Sequence, residues 1–346
     1  MHPRLLPVLA ALLAAAPALR AWDYPGHRLV NQLALAGLPA EFPAFVRAPE
    51  AAERIAFLAG EPDRWRNVPD LPLKQANSLD HYLDYEQLAA AGLDPATVSP
   101  LRYEFAGQFA AGRAAHPKKF PAIDPAKNAD HTQEWPGFLP WAITEHYAKL
   151  RSEFSYLKTF QEFGGTPTEI ANAQADILYT MGVMGHYVGD SAQPLHTTVR
   201  HNGWTGANPK GYTTWSGFHS WIDGGFIAKV GLLPADVLPR ARVAKLLPTA
   251  AAPGARDAIF DAALRHIAAQ NTRVEPLYAL DQANKLKGDT PADSAEGRAF
   301  IEEQLLRGGE LLASLWLTAW KNATTDTYLR TQLAKRASEA AGGGNK

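Results

Sequence analysis

Five imidazole and carboxylate side chains fall within 38 residues of this chain: His186, Asp190 and His196 in GHYVGDSAQPLH, then His219 and Asp223 in GFHSWID. Histidine and aspartate four residues apart on a helix leave the same face one turn apart, so both can reach one ion or two adjacent ions. The chain uses that spacing twice, at His186/Asp190 and at His219/Asp223. A third acidic and imidazole set stands earlier, Asp63 in AGEPDRWRN and His81 in SLDHYLD. A cut after Ala21 would start the mature chain at Trp22, whose free α-amine and own carbonyl oxygen can chelate a metal beside His27, five residues on. That gives nine candidate ligands: Trp22, His27, Asp63, His81, His186, Asp190, His196, His219 and Asp223. Nitrogen and oxygen donors without thiolates suit zinc in hydrolytic sites, and the number is enough for more than one ion; manganese and iron accept the same donor types. Any one of these histidines alone would read as a satisfied polar group, and Asp80 and Asp84 compete as carboxylates beside His81, so the reading rests on the set. His2, His116, His131, His146, His201 and His266 have no ligand-like neighbour at useful spacing and read as structural or surface groups.

The elements that must position these ligands follow from composition and periodicity. Residues 1–21 carry an early Arg4, an apolar stretch from Leu5 to about Ala16 and small residues near the cut, the layout of a secretory signal peptide. The apolar run is shorter than the roughly 20 residues of a spanning helix, and no later segment of that length is free of charge. The expectation is a secreted or periplasmic protein that is not integral to a membrane. The remaining chain of about 325 residues, 46% apolar over the whole sequence, can build a substantial core. It contains no cysteine, so its metal ligands must come from His, Asp and Glu. A formal net charge of −1 gives no overall positive field, and a polyanion would have to be recognised locally, where metal supplies the positive charge.

Helical periodicity dominates. From Thr166 the sequence TPTEIANAQADILYTMGVMGHYVGD opens with Thr166 as a cap, Pro167 in the first turn and Glu169 completing a capping box. Ile170, Ala173, Ile177, Leu178 and Met181 then recur at helical intervals, and the C-terminal end of this helix carries His186 and Asp190. Two more core-facing stripes are Ile259, Phe260, Ala263, Leu264, Ile267 and Phe300, Leu305, Leu311, Leu312, Leu315, Trp316. Alternating strand-like runs are scarce, and Gly and Pro collect between the helical patterns. The expected fold is all-α, a single helical domain over 22–339 with long loops. Residues 95–145, rich in Pro and in Phe105, Phe109, Phe120, Trp135, Phe138 and Trp141, are expected to form an insertion, with a lid over the site as the favoured role. Residues 340–346 are expected to be a disordered tail.

The segments WDYPGH, EPDRWR, DHYLD, GHYVGDSAQPLH and GFHSWID, in order from Trp22 to Asp223, resemble the ligand motifs of the superfamily that joins zinc-dependent phospholipase C with the single-strand nucleases of the S-one/P-one type. The C-terminal third matches only in being helical. The resemblance implies three Zn2+ ions. Asp63, His81, His186 and Asp190 would hold one, and the Trp22 amine and carbonyl, His27 and a bridging Asp190 its close neighbour. His196, His219 and Asp223 would hold the third. It further implies attack on phosphorus by a metal-activated hydroxide, with Asp63 orienting it and Arg66 and the third zinc stabilising the developing charge.

Within the superfamily, the Trp22 to His27 spacing favours the nuclease branch, as do Arg66 in the position of a basic phosphate contact and Tyr82 and Asp84 in the positions of a base-stacking aromatic and a base-edge carboxylate. Stacking on an unpaired base is worth roughly 1–3 kcal/mol and needs the base out of a duplex, which would give a single-strand preference; 5′-phosphorylated products are what the resemblance implies. GFHS before the last ligands, the GHYVGD segment, Trp221 two residues before Asp223, Gly224, and a long interval between His81 and His186 lean toward a phospholipase. A third expectation, from another class, is a non-catalytic zinc-binding module. The N-terminal assignment has its own test: one extra residue left before Trp22 blocks the amine, and is expected to lower both bound zinc and turnover sharply. An extended chain that equals the processed one on both measures would remove Trp22 from the ligand set.

Overall fold

The computed structural model describes residues 22–249 and 255–342, so the expected signal peptide at 1–21 lies outside the described residues. Among those described the chain is helical with no strand. In order, the α-helices are α1 (Tyr24–Gly37), α2 (Pro49–Leu58), α3 (Glu61–Arg66), α4 (Leu71–Leu79), α5 (Tyr85–Ala90), α6 (Arg102–Ala115), α7 (Leu139–Phe163) and α8 (Pro167–Ser191). After a long loop come α9 (Phe218–Ser220), α10 (Phe226–Lys229), α11 (Pro234–Val237), α12 (Ala258–Asn271), α13 (Val274–Gln282), α14 (Pro291–Lys321) and α15 (Thr327–Gly342). No described helix is long and apolar enough to cross a membrane.

The centre is α8. Its start is fixed locally: the Thr166 hydroxyl accepts from the Glu169 N–H (3.2 Å), and the Glu169 carboxylate accepts from the Thr166 N–H (2.7 Å). The predicted stripe faces inward at Ala173, Ile177 and Met181, and from Thr180 to Ser191 every residue is buried. A helix buried all round lies in the core, so His186 and Asp190 sit in the middle of the protein rather than on its surface. The helices α7, α14, α2 and α1 surround it. The other two stripes are also core: Ile259, Phe260, Ala263, Leu264 and Ile267 on α12, and Leu305, Leu312, Leu315 and Trp316 on α14 are buried, with Phe300 and Leu311 half-buried.

A polar clamp sets α1 against α8. Asn31 is fully buried, and its side-chain N–H groups donate to the Ile55 carbonyl (2.8 Å) and the Gly182 carbonyl (3.0 Å). A Cβ on Gly185 would lie 1.5 Å from Asn31 Oδ1, so only glycine permits this approach. One helical turn along, His27 of α1 meets Gly189 of α8 in the same way, a Cβ there falling 2.9 Å from the imidazole Nδ1. These two contacts run α1 antiparallel to α8 and bring His27 to the level of Asp190.

The 95–145 segment comprises α6, two short 3₁₀ turns and the start of α7. Phe105, Phe109, Phe138 and Trp141 are buried in the same core as α8, and Phe105 stacks on Trp141 with ring centroids 3.9 Å apart. The segment also grips the turn that carries His81: the Phe138 N–H donates to the Leu79 carbonyl (2.6 Å), Leu139 N–H to Tyr82 O (3.2 Å), and Asp84 N–H to Pro136 O (2.7 Å). At the other end of the chain, α15 runs to Gly342, so the tail expected to be disordered from 340 begins inside a helix; residues 343–346 lie outside the described residues. The exposed last turn is continued by helix-forming alanines, which composition at the Gly-rich end concealed.

The Asn31 clamp gives a stability prediction. Gly185→Ala overpacks the α1/α8 contact and is expected to lower stability by roughly 1–3 kcal/mol, read as a lower urea midpoint at unchanged slope. A variant with the wild-type midpoint would mean that the two helices are not held this tightly.

Candidate metal centre

Four elements converge on one end of α8. α1 supplies His27, α3 supplies Asp63, the turn after α4 supplies His81, and α8 itself supplies His186 and Asp190. The chain then closes a 3₁₀ turn over 194–197, which carries His196, and later passes through α9 into one π-helical turn, Trp221–Gly225, which carries Asp223 behind His219. Single π turns are rare and widen the helix locally, and here one presents a carboxylate to the site. Long-range backbone bonds fix these pieces to one another: Asp23 N–H to Asp223 O (3.1 Å) and Leu83 N–H to His196 O (2.9 Å). The Trp22 side chain is fully buried and its indole N–H donates to Gly189 O (2.9 Å), anchoring the start of the described chain beside Asp190.

The eight predicted side-chain ligands gather into three adjacent groups: His27, His186 and Asp190; Asp63, His81 and His186; His196, His219 and Asp223. Within each, one ligand atom per residue lies within 4.8 Å of the others. His186 belongs to two groups. Within the first, Asp190 Oδ1 is 3.5 Å from His27 Nε2 and its Oδ2 is 3.3 Å from His186 Nε2. His27 and His186 stack at 3.9 Å. In the second group His81 Nε2 stands 3.7 Å, and His186 Nε2 4.0 Å, from Asp63 Oδ1. In the third, His219 Nε2 is 3.0 Å from Asp223 Oδ2. Asp190 Oδ1 is also 3.5 Å from His196 Nδ1, which links the pair of groups to the third.

The hydrogen bonding of these rings prepares them as ligands. His81 Nδ1 bonds to Asn77 O (2.5 Å), His186 Nδ1 to Ala59 O (2.7 Å) and His196 Nδ1 to His81 O (2.7 Å). A carbonyl can only accept, so Nδ1 carries the proton in each ring and Nε2 turns a lone pair into the site. That is the arrangement by which second-sphere carbonyls orient metal-ligating histidines. The Nε2 atoms of His27, His81, His186, His196 and His219, both Asp190 oxygens and Asp223 Oδ2 are buried without a hydrogen-bond partner. Each such atom costs about 1–3 kcal/mol unless something compensates it. Donors of one kind, all lone-pair bearing and all turned toward three shared points, fit cations. These buried His/Asp groups can bind metal ions.

Burial also sets the protonation. It is the chief cause that holds His27 and His81 well below the usual imidazole range, followed by the charges of neighbouring histidines and Arg66. It lowers His196 and His219 to about 3. At His186 burial acts the same way, but the Asp190 and Asp63 carboxylates outweigh it and raise the pKa. Burial raises Asp223 well above the carboxylate range, against a lowering hydrogen bond from Gln193. Most of the imidazoles therefore stand neutral, the form that ligates.

Arg66 pairs with Asp63 across 2.8 Å. Its charge adds to burial in lowering His27, His81, His196 and His219. Asp63 and His219 keep exposed edges of 13% and 12%, so solvent reaches the centre beside them. A cleft of about 330 Å³ lined by Tyr24, Gly60, Asp63, Arg64 and Asn67 opens there. A larger cavity of about 650 Å³, between Arg113, Phe120, Ile123 and Trp135, holds none of the ligand residues. Tyr82 and Asp84 follow His81 but belong to none of the three groups. Tyr82 is half-buried beneath the 137–139 backbone, and Asp84, 7% exposed, accepts from Gln87 Nε2 (2.7 Å). Burial pushes the Asp84 carboxyl up to about 8, with the Glu86 charge adding to it.

Two residues passed over in the sequence reading touch the site. His201 packs edge-on against His219 with centroids 5.8 Å apart, and the fully buried Gln193 bonds to Asp223. His201 lies five residues beyond His196, and Gln193 lies inside GDSAQPLH; a search for ionisable ligands alone cannot find an amide. The chain matches no model of a known protein family and no curated protein.

The protonation pattern is checked by NMR of the metal-free protein. Because the folded pKa values of His196 and His219 fall to about 3, their ring resonances are expected not to titrate between pH 5 and 8, whereas unfolded histidine titrates near 6.5. Titration of both rings near 6.5 would mean that the third group is open to water.

Proposed function

We propose that the chain is an exported hydrolase of phosphoric diesters that holds three Zn2+ ions, and that its substrate is single-stranded DNA or RNA. The carrying observation is the convergence of eight buried or half-buried His and Asp side chains into three adjacent groups, two of them joined through His186 and the third reached by Asp190 through its contact with His196. Thiolate-free N/O sets of this kind suit zinc, and their adjacency suits a phosphodiester, whose attacking and leaving oxygens both need a nearby positive charge. Zinc held there supplies Lewis-acid polarisation of a phosphoryl oxygen and lowers the pKa of water.

The rest of the reading concerns the chain's own groups. His186 serves two groups, Asp190 lies against it and His27 in the first, and His196, His219 and Asp223 serve the third. After removal of 1–21, Trp22 would add its amine to the first group, a role supported by the indole anchor to Gly189. Asp63 stands where the centre meets solvent, and Arg66 beside it provides a fixed positive charge toward a phosphate. Tyr82 offers a ring to an unpaired base. Asp84, neutral at pH 7 with its carboxyl pushed up to about 8, offers a proton to a base edge.

A second reading, a zinc-dependent phospholipase C, draws on the apolar cavity of the aromatic-rich segment and on exposed Leu101 and Tyr103 at the start of α6. The third, a non-catalytic zinc-binding module, needs only the ligands and gives no use to Arg66.

Parallel turnover of single-stranded DNA, RNA and phosphatidylcholine by the chain beginning at Trp22, with and without a chelator, separates the three. The nucleic acids are expected to be cut, with chelation abolishing the cut. Lipid hydrolysis alone would replace the nuclease reading by the phospholipase one, and bound zinc with no turnover would leave only the module.

A further inference from the structure

Gln193 is fully buried, yet it is bonded at every polar position. Its backbone N–H donates to Asp190 O (3.0 Å), and its backbone carbonyl accepts from His196 N–H (3.0 Å). Its side-chain Oε1 accepts from Leu195 N–H (3.0 Å), closing the 3₁₀ turn that carries His196, and its Nε2–H donates to Asp223 Oδ1 (2.5 Å). One residue thus spans the end of α8, the 194–197 turn and the π turn at 221–225, thirty residues away in sequence.

The consequence for Asp223 is specific. With Oδ1 committed to Gln193, the carboxylate cannot rotate freely, and Oδ2 is turned toward His219 Nε2 at 3.0 Å. The turn held by Oε1 fixes His196, whose ring lies 4.8 Å from that of His219. The amide therefore aligns two of the three members of the His196, His219, Asp223 group, while the backbone N–H of the same residue ties it to Asp190, which belongs to another. Packing alone would not require an amide here. Met has similar length and would fill the space, but it offers neither the donor to Asp223 nor the acceptor for Leu195.

We infer that Gln193 is the positioning residue of the third cation group, setting the affinity of that one ion while leaving the other two to their own ligands. This rests on the three-ion reading above. Outer-sphere partners of metal ligands commonly contribute 10- to 100-fold in metal affinity. A loss in that range, confined to one ion, is the expected signature.

The test uses the chain beginning at Trp22 and two variants, Gln193→Met, which removes the amide, and Gln193→Asn, which keeps it but is one methylene too short to bridge both partners. Zinc per chain is measured by elemental analysis after dialysis against graded chelator, with the urea midpoint of each metal-free protein alongside. Expected are three zinc ions in the wild type, and two in each variant at a chelator level that leaves the wild type full, with metal-free midpoints unchanged for Gln193→Asn. Three ions held by both variants with wild-type affinity would overturn the inference. So would parallel loss of all three ions with a lowered metal-free midpoint in Gln193→Asn, because Gln193 would then be holding the fold rather than one group. A wild type that binds no zinc would overturn the three-ion reading and this inference with it, an outcome distinct from either variant result.

Discussion

The structure depends on burying ionisable groups where water cannot reach them. Asp190, His27 and His186 are entirely buried at the end of a helix that is enclosed on all sides from Thr180 to Ser191. Desolvating a charge is expensive, and a protein offsets it by pairing, by shifting protonation, or by coordinating a metal. The chain uses the first two in part: Asp190 is shared between imidazoles on both of its oxygens, and burial drives His27 and His81 toward the neutral form. Neither measure supplies a partner for the lone pairs that face one another across the three groups. The surrounding architecture is arranged to keep those lone pairs facing. Backbone carbonyls of Ala59, Asn77 and His81 take up the opposite face of three rings, so that each imidazole has only one orientation.

That constraint explains features that have no other evident purpose. Asn31 is an amide placed in the core to hold two helices by their carbonyls, and it does so one turn from His27. Gly185 and Gly189, a turn apart on α8, let α1 come close enough for His27 to lie flat against His186. The aromatic-rich stretch packs Phe105 and Trp141 into the core and spends its backbone donors on residues 79–82, which fixes the turn bearing His81. A side chain on a short turn between two helices has little local support, and the 95–145 segment provides it.

Which parts were legible in the sequence follows from how local the signal is. The pairs His186/Asp190 and His219/Asp223 could be seen because helical geometry alone places them together, and the start of α8 because Thr166, Pro167 and Glu169 settle it within one turn. The inward stripes of α8, α12 and α14 were visible for the same reason. What could not be seen was anything carried by pairing across long separations: Asp23 to Asp223, Phe138 to Leu79, and the His196 ring to the His81 carbonyl. Composition showed that 95–145 was unusual, but aromatic side chains over a site and aromatic side chains in a core look alike in one dimension. The π turn at Asp223 was invisible too, since the same i,i+4 spacing reads as an ordinary helix.

The arrangement also suggests why the ligands are divided between rigid and less rigid elements. His27, His186 and Asp190 lie on long helices pressed together in the core, whereas His196, His219 and Asp223 lie on a 3₁₀ turn, a three-residue helix and a π turn. A packed helix can hold a side chain by its own regular geometry. Short turns cannot, and their ligands have to be fixed by hydrogen bonds from neighbouring side chains and backbone. The third group meets that requirement through Gln193 and the His81 carbonyl, while its exposed edge at His219, together with that of Asp63, faces solvent. The centre is thus most rigid where it is deepest and most dependent on individual hydrogen bonds where it meets solvent, so changes near the mouth should act on one group at a time rather than on the whole.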